Sequence, residues 1–265
     1  MARSFSVKIT PFIAAIALVF LSSTGMSRIA HADRCDPPDC MRPPIPDGAF
    51  VLNSDDRGWI DETGFRFPNS DNYLVGEMLA GLPETAREVR NFVVFDLSRI
   101  RSPILSATLR LLNPGSGYGS PDLSERFSVW DVSAPLGDLY FGSVTKFNDL
   151  GTGTLFGTQE VLSGVQQSFV DVSLNRSALN VLNSTQGFVA LGGTVSSLLL
   201  GEPLEYLFGG SDTHNPSDGN TQLILTIIPE ASKLTMLFSG LLLLGAAGLR
   251  QRWGLFGQIF GVVKC

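Results

Sequence analysis

The densest run of ligand-type side chains is Ser211-Asp212-Thr213-His214-Asn215-Pro216-Ser217-Asp218-Gly219-Asn220. Calcium takes about six to eight oxygen ligands, and loops of β-proteins often supply them. Asp212, Asn215 and Asp218 are therefore candidate calcium ligands, although their spacing is not that of an EF-hand and Asx residues also build ordinary turns. A second oxygen-rich run, Asp55-Asp56-Arg57-Gly58-Trp59-Ile60-Asp61-Glu62, lacks regularly alternating donors. His214 is the only histidine beyond His31. A Ser-His-Asp triad assembles in space and not in sequence, but there is no Gly-x-Ser-x-Gly elbow to expose a serine. His214 reads as a solvated hairpin residue, and no catalytic residue is expected. Glycosidases need two facing carboxylates, but with 25 acidic residues any pair can be nominated, so spacing selects none. Trp59, Phe65, Phe67 and Tyr73 cluster in sequence, and Tyr118 sits in a glycine-rich loop. Trp59, Phe65 and Tyr73 are candidates for stacking on sugar rings, or alternatively for filling a core.

The elements that must position these residues are short. Alternating or β-rich runs cover Ala49–Asn53, Tyr73–Gly76, Val89–Leu97, Ile104–Asn113, Arg126–Val132, Gln159–Leu162, Ser168–Ser173, Gly187–Leu191, Leu204–Gly209 and Gln222–Ile228. Gly, Pro, Asn and Asp clusters separate them. This spacing predicts an all-β antiparallel sandwich over residues 49–228. Period-2 patterning places Val89, Asn91, Val93, Phe95 and Leu97, and likewise Leu105, Ala107, Leu109 and Leu111, on inner faces. One helix is expected at Asn175–Asn183, with Asn175 as its cap, and a second short turn near Thr145–Leu150. Residues 33–48 hold five prolines and read as a stiff leader.

All 25 acidic residues but only 12 of the 19 basic ones lie between Asp33 and Glu230, so this body carries net −13 against −6 for the whole chain. Such a charge repels nucleic acid, which is excluded as a partner. Cys35 and Cys40 could close a small disulfide loop in an oxidising compartment. Their spacing does not fit zinc, because there is no second Cys or His pair.

The ends differ from the body. Arg3 and Lys8 precede an uncharged apolar run, Phe12–Leu21, and Ala30 and Ala32 place small residues at −3 and −1 of a cut before Asp33. Residues 1–32 are thus read as a cleaved signal peptide; as helix the run spans roughly 15 Å, short for hydrocarbon about 30 Å thick. At the other end, Ile228-Pro229-Glu230-Ala231-Ser232 leads into the apolar stretch Leu234–Leu249 and then Arg250-Gln251-Arg252. That stretch reaches roughly 24 Å as a helix, near spanning length. It has no polar face, which argues against a buried core helix. Arginines retained on the cytoplasmic side would orient it. Residues 253–265 form a short tail.

The 229–252 segment resembles a PEP-CTERM sorting signal. In that family a Pro-Glu-Pro motif precedes a membrane segment and basic residues. Pro229 and Glu230 match the first two positions, Ala231 stands where the second proline is usual, and Arg250 and Arg252 form the stop. The resemblance implies export through the inner membrane of a Gram-negative bacterium, a C-terminal transmembrane helix, and an exosortase-type processing enzyme as partner. It also implies a setting rich in exopolysaccharide. Arg90–Ser98 followed by Ser106–Leu111, with Phe147–Gly153 and Tyr206–Gly209, is similar to exported jelly-roll domains of PEP-CTERM and carbohydrate-associated proteins. That likeness implies a jelly-roll-like body and brings no catalytic residue and no cofactor. The expectation is a non-enzymatic surface or matrix protein, with a carbohydrate-binding module as the alternative.

Overall fold

The computed structural model describes residues 43–68, 70–80, 84–199 and 204–228. Ala30, Ala32, Cys35, Cys40, Pro229, Glu230, Arg250 and Arg252 lie outside them. Twelve strands and three short helices follow one another as β1 (Phe50–Asn53), β2 (Asp56–Asp61), β3 (Val75–Ala80), β4 (Thr85–Asp96), β5 (Ile104–Asn113), β6 (Tyr118–Gly119) and β7 (Ser124–Asp131). After these come α1 (Leu136–Leu139), α2 (Val144–Asp149), β8 (Leu155–Leu162), β9 (Ser168–Ser173), α3 (Arg176–Ser184), β10 (Phe188–Val195), β11 (Tyr206–Leu207) and β12 (Thr221–Ile227).

Every strand pair is antiparallel. One sheet runs β1-β12-β5-β9; the other has eight strands built around β4. The Thr85–Val89 half of β4 pairs with β3, its Asn91–Asp96 half pairs with β10, and β2 lies along its opposite edge. Between the sheets sit Val93, Phe95 and Leu97 beside Ala107, Leu109, Leu111, Val170, Val172, Leu223 and Leu225. Phe208 lies in this core, its ring 5.2 Å from Phe127 and 5.7 Å from Tyr73.

The middle of β4 is apolar on both faces for a physical reason. Phe92 and Val94 point away from the sandwich core into a second cluster with Ile60, Leu139, Phe147, Leu150 and Ala190, supplied by α1, α2 and their neighbours. A strand covered on both sides loses its polar alternation, and each such buried side chain contributes about 1.5–3 kcal/mol. The adjacent glycines of β10 permit this layering. A Cβ on Gly192 would stand 2.5 Å from the Leu150 carbonyl, and one on Gly193 would stand 2.6 Å from the Phe127 ring.

Two details depart from the period-2 reading. Leu105 is 56% exposed, while Ile104 is buried in its place. The β12–β5 register slips between Thr226 and Ile227, so one extra residue is accommodated and the side-chain alternation reverses there. Asn91 is buried as expected, but with its amide donating to the Tyr73 carbonyl at 2.7 Å. The predicted Asn175–Asn183 helix is α3, one residue displaced. Asn175 accepts from the Ala178 amide, and Ala178 and Leu182 face the core. Asn183 near its end accepts from Ile104 N and donates to Ile104 O, tying α3 to the start of β5.

Candidate functional site

The run Asp55–Glu62, read from composition as an oxygen cluster, is strand β2, and its arginine is the organising charge. Arg57 is fully buried. Its Nε donates to the Asp71 carbonyl at 3.0 Å, and Nη2 donates to Asp71 Oδ2 at 2.6 Å and to Thr213 Oγ1 at 2.8 Å. Nη1 and Nη2 grip the two Asp218 oxygens at 3.0 and 3.1 Å, a bidentate fork. Nη1 also reaches Thr221 Oγ1 at 3.3 Å, and the guanidinium carbon lies 4.9 Å from the Tyr73 ring centroid.

Asp71 gathers the other side of the loop. Its carboxylate accepts the backbone amides of Thr213, His214 and Asn215 at 2.8, 2.9 and 3.0 Å. Ser54 caps the same assembly, its hydroxyl against Thr221 Oγ1 and accepted by the Pro216 carbonyl. The 211–220 loop is thereby wrapped around one guanidinium supplied by β2. Burial pushes the Asp71 carboxyl upward, but the hydrogen bond with Asp212, the Thr213 amide and the Arg57 guanidinium outweigh it and hold it well below the usual carboxylate range. Asp218 is lowered in the same way: burial opposes, while Arg57, the Thr213 hydroxyl and the Asn220 amide prevail. Burial works against the charge on Arg57, and its bonds to Asp218 and Asp71 raise its pKa nevertheless.

The three candidate calcium ligands already have partners within the protein. Both oxygens of Asp218 serve Arg57, Thr213 and Asn220. Asn215 Oδ1 accepts from the Ser217 amide, and its carbonyl accepts from Arg57. Asp212 turns instead toward Ser70 and His214. The positive charge facing Asp218, and facing Asp71 beside the loop, is thus provided by the side chain of Arg57. Asp71, Asp212 and His214 do bring one ligand atom each within 4.8 Å of one another, but Asp71 is already committed to Arg57 and three amides.

His214 is largely exposed, with Nδ1 2.8 Å from Asp212 Oδ1. Ser70 Oγ donates to Asp212 Oδ2 at 2.7 Å, and not to the imidazole. A triad needs the hydroxyl on the base and the base on the carboxylate, whereas this order joins both outer groups to the carboxylate.

The aromatic candidates also separate. Tyr73 is fully buried, its hydroxyl donating to the Leu112 carbonyl at 2.8 Å. Burial drives its pKa up. It faces the core and offers no surface to a sugar, which corrects the stacking expectation. Trp59 is buried against Leu74 and Val89. Only Phe65 keeps an exposed ring, beside Phe67. Sequence reading missed their companions, Tyr140 and Phe141, both exposed and edge to face at 5.2 Å. Arg66, between Phe65 and Phe67 in the chain, lies over the Tyr140 ring at 5.2 Å and over the buried Phe92 ring at 4.7 Å.

The same economy of charge recurs. Arg110, buried, makes a bidentate pair with Asp171 at 2.7 Å for both contacts and donates to the Pro43 carbonyl. Arg90 pairs with Glu88 and donates to the carbonyls of Phe147 and Asn148 at the end of α2. Among the described residues no helix is long and apolar enough to cross a membrane. The chain matches no protein-family model and no curated protein.

Proposed function

We propose that this chain is an exported, non-enzymatic surface or matrix protein of a Gram-negative bacterium, with a jelly-roll-like body. In this reading a signal peptide ending at Ala32 delivers it across the inner membrane, and a PEP-CTERM-like tail holds it there for an exosortase-type enzyme. The observation that carries the reading is the order Pro229-Glu230, apolar Leu234–Leu249, Arg250 and Arg252 directly after the last strand. Several features of the body support it. Arg57, Asp71 and Asp218 are used up in binding a loop to a strand, and the Ser70–Asp212–His214 order withholds the base from the hydroxyl. A net charge of −13 keeps an extracellular domain soluble and away from nucleic acid.

Mass spectrometry of the protein recovered from its native host tests the processing. The expected mature chain begins at Asp33; retention of Met1 on exported protein would contradict the signal-peptide reading.

The exposed group Phe65, Phe67, Tyr140 and Phe141 favours a second reading, a carbohydrate-binding module of the cell surface. Rings on a water-exposed surface can stack on sugar faces. Titration with a panel of neutral and acidic polysaccharides, with and without calcium, is expected to show binding that Phe141→Ala weakens. Failure of every glycan to bind removes this reading and leaves the first intact.

A further inference from the structure

The end of the sandwich from which the chain runs toward its apolar tail sets exposed apolar side chains beside two exposed arginines. Ile228 follows β12 directly, its amide donating to the Pro103 carbonyl at 3.0 Å. Beside it the bulge exposes Leu105, and Phe188, paired with Asp96 at the start of the same 97–103 connection, is exposed too. Between them that connection presents Arg99 and Arg101 to solvent. Arg57, Arg66, Arg87, Arg90 and Arg110 are each bound to a carboxylate. Among the described residues, Arg99 and Arg101 form no ion pair within 4 Å, nor do the exposed Arg126 and Arg176, but only Arg99 and Arg101 lie on this connection.

A cleft of about 220 Å³ opens here, with Arg101, Ser102 and Gln186 among its polar walls. The acidic groups nearby are Asp96, whose carboxylate takes the Ser98 amide and hydroxyl, and Asp55, which accepts from the Asp96 amide. Asp122, Glu125 and Glu160 lie at the Ser124 end of β7 and β8, and the pairing of Val195 with Phe127 places that end opposite Phe188.

We propose that the face formed by Arg99, Arg101, Leu105, Phe188 and Ile228 rests on the membrane that holds the tail and takes anionic phospholipid headgroups. This rests on the reading that Leu234–Leu249 inserts. Only Pro229–Lys233 separates Ile228 from that stretch, so Ile228 lies within about 20 Å of the apolar segment even at full extension. Chain length alone therefore selects which end of the sandwich meets lipid. Exposed apolar side chains enter the headgroup boundary, and guanidiniums answer the anionic phosphates there, each worth about a fivefold preference.

The test uses the full chain in vesicles of phosphatidylcholine with and without phosphatidylglycerol. Its three native cysteines are replaced by serine, and a fluorophore is placed through Leu105→Cys, Phe188→Cys or Leu123→Cys. Leu123 is 83% exposed at the opposite end and serves as the reference. Headgroup-level quenchers should dim the Leu105 and Phe188 labels strongly and the Leu123 label little. Arg99→Glu with Arg101→Glu should abolish the added quenching that phosphatidylglycerol brings. Equal quenching at the two ends, or indifference to phosphatidylglycerol, overturns the proposal while leaving the tail reading standing. Release of the unlabelled chain from vesicles by alkaline carbonate overturns the tail reading, and this one with it.

Discussion

An Arg57→Met variant is expected to lose about 3–5 kcal/mol of folding stability, the cost of leaving buried carboxylates without their partner. Methionine preserves much of the volume, so the loss is electrostatic and not a cavity effect. Asp71 and Asp218 would remain in place, desolvated, with the bonds from Nε, Nη1 and Nη2 gone. Urea unfolding followed by intrinsic fluorescence measures it as a fall in midpoint at unchanged slope. Arg57→Lys should fall between wild type and Arg57→Met, because a point charge cannot make the two-pronged contact with Asp218. A triple variant, Arg57→Met with Asp71→Asn and Asp218→Asn, should recover part of the loss, since neither remaining group carries charge.

The same network fixes how stability responds to acid. Asp71 and Asp218 have folded pKa values below the ordinary aspartate value near 3.9. Their contribution is complete above that unfolded-state value and is lost as pH falls through the lowered folded values. Arg57, raised above an already high pKa, stays charged throughout. Arg57→Met should therefore unfold with a flatter acid dependence than wild type. A loss under about 1 kcal/mol, with the wild-type acid profile retained, would show that Arg57 does not organise the loop.

Much of the scaffold was legible because its signals are local. Ile104–Asn113 and Ser168–Ser173 coincide with β5 and β9, since β-branched and apolar residues bounded by turn residues leave little alternative. The Asn175 cap identified α3. Strand β2 was hidden by its own ends: Asp55-Asp56 and Asp61-Glu62 look like a solvated loop. The buried residues Arg57, Gly58, Trp59 and Ile60 follow the strand rule only once β4 lies beside them. A lone arginine inside a Gly-Trp-Ile run was the available sign that a charge is being buried. Its partners were not readable, because Asp71 and Asp218 lie 14 and 161 residues away. The loop's oxygen donors can be counted in sequence, but the guanidinium that Asp218 and Asn215 face comes from a distant strand. The bulge at Leu105 has no local sequence mark, because a register slip belongs to two strands at once.

The terminal segments make a larger prediction. Removing Pro229–Arg252 deletes the apolar stretch and both arginines of the proposed stop while leaving β12 intact, so on the proposed reading the body should fold and still leave the cytoplasm. What changes is retention. In the proposed reading a segment near spanning length with arginines at its cytoplasmic end holds the chain in the membrane until it is cut, and the two arginines of the basic face, on a body of net −13, do not replace it. Substituting Pro229 and Glu230 alone, with the apolar stretch kept, should preserve membrane retention and block exosortase-dependent processing. These two variants separate anchoring from cleavage.

Cell fractionation of the host expressing the full chain and the Pro229–Arg252 deletion decides the matter most directly. The expected outcome is full-length chain in the inner-membrane fraction, or processed body at the cell surface, and deleted chain free in the periplasm or medium. Full-length protein found uncut in the cytosol, or a deletion that leaves the distribution unaltered, would contradict the account.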